Sequence, residues 1–268
     1  MQTPALPPYA LESAFVELSA RAVKPPEDPI AVLNRAATPA EKLAAIDSLH
    51  RSLPHAPQAR RTAGLDALRG AAVSPSEAPA VRAKALTYLG YAVPVVGDEK
   101  AREAAVNALL DATAGAYRVF ALRGLAPATH HLPPSVEARV QETLLSLLAG
   151  TLNEDEKLAA LLALDGFVRE RDDLPRRRPD LVLALETKFL SPIEADPAAF
   201  AAAGSANSRL LALAVVWHSA RNRFSAGEPA ALSRVNALLT ALSAIETDPA
   251  VLAEIAAFLA APLPKLIP

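Results

Sequence analysis

The sequence predicts an all-α chain built on a repeated two-helix unit. Three observations lead there. The chain is 51% hydrophobic but only 4% aromatic, with Leu and Ala carrying the apolar content. Those two are strong helix formers, whereas β-branched and aromatic strand formers are sparse. Proline outnumbers glycine, 24 to 10, and falls between apolar runs, where it marks helix starts and stops. One short pattern, Ala–apolar–x–x–apolar, also recurs along the chain.

Each element has a local reason. Residues 8–37, with "ALESAFVELSARAV" and "DPIAVLNRAA", read as an N-terminal helical cap within 1–37. "TPAEKLAAIDSL" places Thr38 as N-cap, Pro39 at the first helical position and Glu41 at the third, a capping box. A second helix follows at about 57–73, then "APAVRAKALTYLGYAV" at 78–93. "GDEKAREAAVNALL" offers Asp98 as the cap of a helix over about 98–114, and "AYRVFALRGLAP" follows at 116–127. "PPSVEARVQETLLSLL" uses Ser135 as cap, and Glu154, Asp155 and Glu156 favour the N-terminal dipole of the next helix. "RDDLPRRRPD" at 171–180 reads as a loop in which Pro175 stops one helix and Pro179-Asp180 lead into another over about 180–190. An added short helix is expected within 191–207. "LLALAVVW" at 210–217 reads as a buried helix segment, and a helix over about 228–245 follows. "TDPAVLAEIAAFL" takes Thr247 or Asp248 as its cap, and 262–268 is a tail with two prolines.

The repeat is visible at Ile46, Leu86, Leu122, Leu161, Leu213 and Ile255, each preceded by alanine except the last. The intervals are about 36 to 42 residues, with one of about 52, near the HEAT and armadillo range. A lone helical hairpin cannot bury its own apolar stripe, so stability in such an array comes from stacked neighbours. Residues 78–93 resemble the first helix of a HEAT repeat through Pro79, Val81, Arg82, Ala85-Leu86 and Leu89-Gly90. Residues 116–127 repeat it through Val119, Ala121-Leu122, Leu125 and Pro127. The likeness extends more faintly over 38–261. It implies a right-handed α-solenoid of about five to six helical hairpins forming a single elongated domain.

The chemistry the sequence excludes is as informative. With no cysteine there is no disulfide, thiolate or zinc–cysteine site. The five histidines, His50, His55, His130, His131 and His218, lack metal-ligand spacing, and structural or exposed roles are expected for all. No Gly-rich phosphate loop, G-x-S-x-G or H-E-x-x-H occurs, so no catalytic, metal or cofactor residue is assigned. The net charge of −2 argues against a nucleic-acid backbone as the main partner. No apolar run reaches a membrane span. The N-terminal "MQTPALPPYALESAF" lacks the basic and apolar regions of a signal peptide, which leaves the cytoplasm as the default compartment and an extracytoplasmic mature form open.

The second helices carry mixed charge at Arg60, Arg61, Lys100, Arg102, Glu103, Glu137, Arg139, Glu142, Glu186, Lys188 and Arg234. Such a surface suits a protein or peptide partner better than a polyanion. Of these, Arg60, Arg61, Arg102, Arg139, Lys188 and Arg234 are the candidate partner contacts. The HEAT resemblance makes the expected role a non-enzymatic scaffold or adaptor binding along the concave face. Two alternatives stay open. One is nucleic-acid binding or DNA-glycosylase-type repair through a basic rim of Arg171, Arg176, Arg177, Arg178, Trp217, Arg221 and Arg223. The other is a HEAT-like lyase acting on tetrapyrrole-bearing proteins, which needs a cavity with convergent polar groups.

Overall fold

The structure is a computed structural model that describes residues 28–35, 37–129, 132–169 and 173–264. The described residues are helical and contain no strand. Most of the cap read at 8–37, His130, His131, Arg171, Asp172 and the end of the C-terminal tail lie outside them. Backbone contacts group the chain into two compact units with the boundary between Val140 and Gln141.

In the first unit, α1 spans Pro29–Asn34, α2 Pro39–Ser52, α3 Gln58–Val73, α4 Pro79–Ala92, α5 Glu99–Ala112 and α6 Arg118–Ala128. The next helix, α7, Pro134–Ala149, carries the boundary. Proline opens α1, α2 and α4, where its missing N–H costs nothing because the first turn has no acceptor for it. The Thr38–Glu41 capping box forms as expected, and Asp98 caps α5 by accepting from the Ala101 amide. Ser135 is not the cap of α7, because the helix already begins at Pro134.

A second use of proline repeats. Both α2 and α4 end in a tight turn with proline at its centre, Leu53–His55 and Val93–Val95, and Leu53 and Val93 are buried there. Proline cannot continue the α-helical ladder, so each turn redirects the chain at a fixed place. Helices α2, α4 and α6 then pack in sequence against one another, and α3 packs on α5 alongside them. Ile46, Leu49, Leu86, Leu89, Leu122 and Leu125 are almost fully buried in the first row. Those are the positions of the Ala–apolar–x–x–apolar pattern.

The second unit contains α8 (Glu154–Val168), α9 (Leu174–Arg177), α10 (Pro179–Leu185), α11 (Ser191–Ala195), α12 (Pro197–Ala202), α13 (Ala206–Ser225), α14 (Pro229–Ser243) and α15 (Pro249–Ala260). Here α13, the longest, packs against α8, α14 and α15. Its core gathers Leu213, Val216 and Trp217 with Val235, Leu239 and Phe258. Asp248 caps α15, and Asn153 completes a capping box with Glu156 that the sequence reading did not single out.

The insertion over 191–207 holds two short helices, α11 and α12, rather than one. The "RDDLPRRRPD" segment is not simply a loop either. The preceding helix ends at Val168, so Pro175 does not stop it; Pro175 lies in the first turn of α9, where proline is compatible with helix. Between α10 and α11 the helix continues through a widened turn, Glu186–Leu190, closed by the Ser191 amide on the Glu186 carbonyl. Pro192 has no N–H to offer the Lys188 carbonyl, so the regular ladder is interrupted there.

The tightest packing in the first unit lies between α4 and α6. A Cβ on Gly90 would collide with the Gly124 carbonyl, and one on Gly124 with the Leu86 carbonyl. Both obstacles are backbone and cannot rotate away. Gly90→Ala and Gly124→Ala are therefore expected to lower stability by about 3 kcal/mol or more, the upper end for overpacking. Gly70 in α3 faces open space. Gly70→Ala should raise stability by about 0.5–1 kcal/mol, since it restricts only the unfolded chain. Chemical denaturation of the three variants checks both signs.

Candidate functional site

A cleft of about 190 Å³ opens in the second unit. Its apolar wall comes from Val182, Leu185, Leu190, Val216, Ala220 and Val235, on α10, the widened turn, α13 and α14. Three ionisable side chains line it as well: Glu186, Arg223 and Arg234. Leu185, Leu190, Val216, Ala220 and Val235 are buried and Val182 half-buried, whereas the Glu186, Arg223 and Arg234 side chains are 27%, 23% and 40% exposed. The charges therefore sit at the rim.

Glu186 is the centre of that rim. It accepts from Arg223 Nη1 at 3.1 Å and from Arg234 Nη1. The outer edge of each guanidinium is held by a further carboxylate. Arg223 donates through Nε and Nη2 to Glu228 at 2.8 and 2.7 Å, and Arg234 grips Glu194 through Nε at 2.7 Å and Nη2 at 2.5 Å. Two-point grips of this kind fix a guanidinium in orientation as well as position. The Arg234 hydrogen bond, helped by both arginine charges, holds the Glu186 carboxyl below its usual range against the opposing effect of burial.

A second polar cluster joins α8 to α13. Asp165, whose side chain is 2% exposed, lies 2.7 Å from Nδ1 of His218 and accepts from Arg169 Nη2 at 2.5 Å. Burial pushes the Asp165 carboxyl up, but His218 and Arg169 outweigh it and the group ends below its usual range. With Asp165 ionised, Nδ1 is the ring nitrogen of His218 that carries a proton and donates to it. Beside it, Trp217 stacks on Phe258 with centroids 4.6 Å apart, and the Arg221 guanidinium lies 4.6 Å from the Trp217 ring centroid. Trp217 is thus a core residue with an arginine rim, as its apolar helix suggested.

Most of the arginines singled out from the sequence are engaged within the chain. Arg61 donates to three turn carbonyls, Ala56 at 2.7 Å and Pro54 and Val95 at 3.0 Å, and so ties two successive turns together. Arg60 makes one long, exposed contact with Asp28. Arg139 crosses from α7 to Asn107 and Asp111 on α5. Lys188 reaches the Leu145 carbonyl at 3.4 Å. Arg177 pairs with Asp173, Arg178 with Asp180, and Arg221 donates to the Pro262 carbonyl. Arg102 is partly buried on α5, and Arg176 is exposed on α9.

The cleft brings Arg223 and Arg234 together, one from the expected basic rim and one from the expected partner face. Glu194 completes the cluster although nothing in the sequence marked it, since it lies in the insertion some 40 residues away. Asp165 did leave a signal, a lone acid inside the apolar run "LLALDGFV". Among the described residues no three His, Asp or Glu side chains converge as metal ligands. No helix among the described residues is long and apolar enough to cross a membrane. The sequence matches no family model and no curated protein.

Two outcomes follow from these contacts. Arg61→Ala should cost about 2 kcal/mol, given charge-assisted bonds to partly buried carbonyls, whereas Arg60→Ala should fall within about 0.5 kcal/mol of the parent; thermal unfolding separates them. Acid should act on the second unit first. There Glu154, Asp165, Glu186 and Glu246 are held below their usual ranges and Asp180, hydrogen-bonded by Arg178, falls to about 2. In the first unit only the exposed Glu41 shows such a shift among the described residues. Depressed carboxyls stabilise fully above their unfolded values and lose that contribution as pH falls through the folded ones. Hydrogen exchange between about pH 5 and 2 should therefore show 154–260 losing protection before 39–128.

Proposed function

We propose that the chain is a HEAT-like α-solenoid scaffold of about five to six helical hairpins, non-enzymatic, which holds a protein segment against its second helices. The observation that carries this reading is the pairing of rows in the first unit, α2 with α4 and α6, and α3 with α5. Two-helix units stacked this way leave one side of each second helix to solvent. On α3, α5 and α7 that side presents the exposed Lys100 and two exposed ion pairs, Asp66 with Arg69 and Asp111 with Arg139, surface contacts weak enough for a partner to exchange. Alternating charge of this kind confers selectivity and orientation on a peptide partner.

The nucleic-acid alternative has less to draw on. Arg177, Arg178 and Arg223 already face carboxylates, and Arg221 is spent on Trp217 and a carbonyl.

The test is selection of short peptides that bind the full chain, followed by hydrogen exchange of each complex. Protection is expected on the solvent sides of α3 and α5. A double variant, Asp66→Arg with Asp111→Arg, should weaken these peptides at least tenfold with little change in Tm, since both acids are exposed. Binders that protect neither helix, or that ignore the double variant, would overturn the reading.

A further inference from the structure

We propose that the second-unit cleft is a binding site for a short aliphatic carboxylate, with Glu186 holding the position that the ligand carboxylate would take. The argument starts from what lines the cleft. Its deep wall is apolar apart from Ser219, and at its rim two guanidinium groups share the Glu186 carboxylate, with Glu228 and Glu194 behind them. The two Nη1 groups that face this apolar wall are complementary to a carboxylate head on a hydrocarbon tail that takes the place of Glu186, because Glu228 and Glu194 already balance the arginine charges.

Size narrows the ligand. A cavity of about 150 Å³ accommodates benzene, so a 190 Å³ cleft suits a tail and head of about seven or eight non-hydrogen atoms. A branched six-carbon acid or the terminal residue of a peptide ending in leucine fits this description.

The arrangement of donors names the head group. Glu228 and Glu194 each hold the outer edge of one arginine, and both arginines turn Nη1 inward to the same carboxylate, that of Glu186. Planar guanidinium pairs set in this way are matched to a carboxylate, and less well to a hydroxyl or amide. Glu186 also opens the widened helical turn, a feature that recurs at ligand sites. A ligand carboxylate takes the place of the Glu186 group between the two Nη1 atoms, while its tail packs on Leu185, Val216 and Val235. The Glu186 side chain, already partly exposed, turns to water.

This inference stands apart from the scaffold reading, whose test lies on α3 and α5; either one fails without the other. The full chain is titrated with 4-methylpentanoate, with its amide, and with acetyl-glycyl-leucine as acid and as amide, following the methyl signals of Leu185, Val216 and Val235 by NMR. Saturable shifts are expected with an acid and not with the matching amide. The stronger acid identifies the source, a free metabolite-sized acid or a peptide C-terminus. Glu186→Gln should tighten acid binding about tenfold, since it removes the competing charge while keeping the shape. Arg234→Gln should weaken it at least tenfold. Equal shifts with acid and amide, no shift with either acid, or weaker binding in a folded Glu186→Gln protein would overturn the proposal. The wild-type comparison of acid with amide decides it even where a variant does not fold.

Discussion

Helix-to-helix contact along the first row depends on the approach of α4 to α6 at Gly90 and Gly124. With no Cβ at either position, backbone lies against backbone, and Leu86, Leu89, Leu122 and Leu125 meet around the contact instead of being held apart. Among the described residues, burial in this unit is nearly all Leu, Val and Ala, with Phe120 the one large ring that is fully buried. Small and medium side chains gain their stabilisation from closeness, because dispersion falls away steeply with even a small gap. The alanines of the repeated pattern serve the same end, letting the Leu and Ile beside them interlock across rows.

Polar side chains do a different task in each unit. In the first, arginines hold turn carbonyls: Arg61 on Ala56, Pro54 and Val95, and Arg118 on Thr113 at 2.7 Å. Lys42 and Lys84, both nearly buried, reach Glu77 and Asp47 and tie α2 to the segment that leads into α4 and to α4 itself. In the second unit, carboxylates are the hubs. Glu154 accepts from Ser205 and Ser208, Asp165 from His218 and Arg169, Glu246 from Arg209 and two backbone amides, and Glu186 from two arginines. Hubs of this type fix orientation, and each requires an ionised acid.

The cleft and the fold are connected through the irregular stretch over 174–202. A regular second helix there would carry the chain straight from α8's partner into α13. The short helices and the widened turn bring Glu186 and Glu194 to one side of α14, where Arg234 reaches both. The rim therefore exists because the helical course is broken at this place.

By itself the sequence determined the helical class, the position of nearly every helix in the described residues, and which face of each is apolar. These follow from local causes: proline at first positions, Thr38, Asp98 and Asp248 as caps, and 3.6-residue periodicity. They also marked Trp217 as core, because its neighbours on α13 are apolar at helical spacing. Only the tertiary structure decided what the charges do. Arg60 and Arg61 are adjacent and chemically identical, yet one is a loose surface contact and the other clamps three carbonyls. Arg223 and Arg234 come from different helices and meet at the Glu186 carboxylate, and Arg234 also reaches Glu194 in the distant insertion. An ionisable side chain takes its role from whatever opposite charge or unpaired carbonyl the fold brings within about 3 Å, and that is a property of packing between distant segments, which no local pattern encodes.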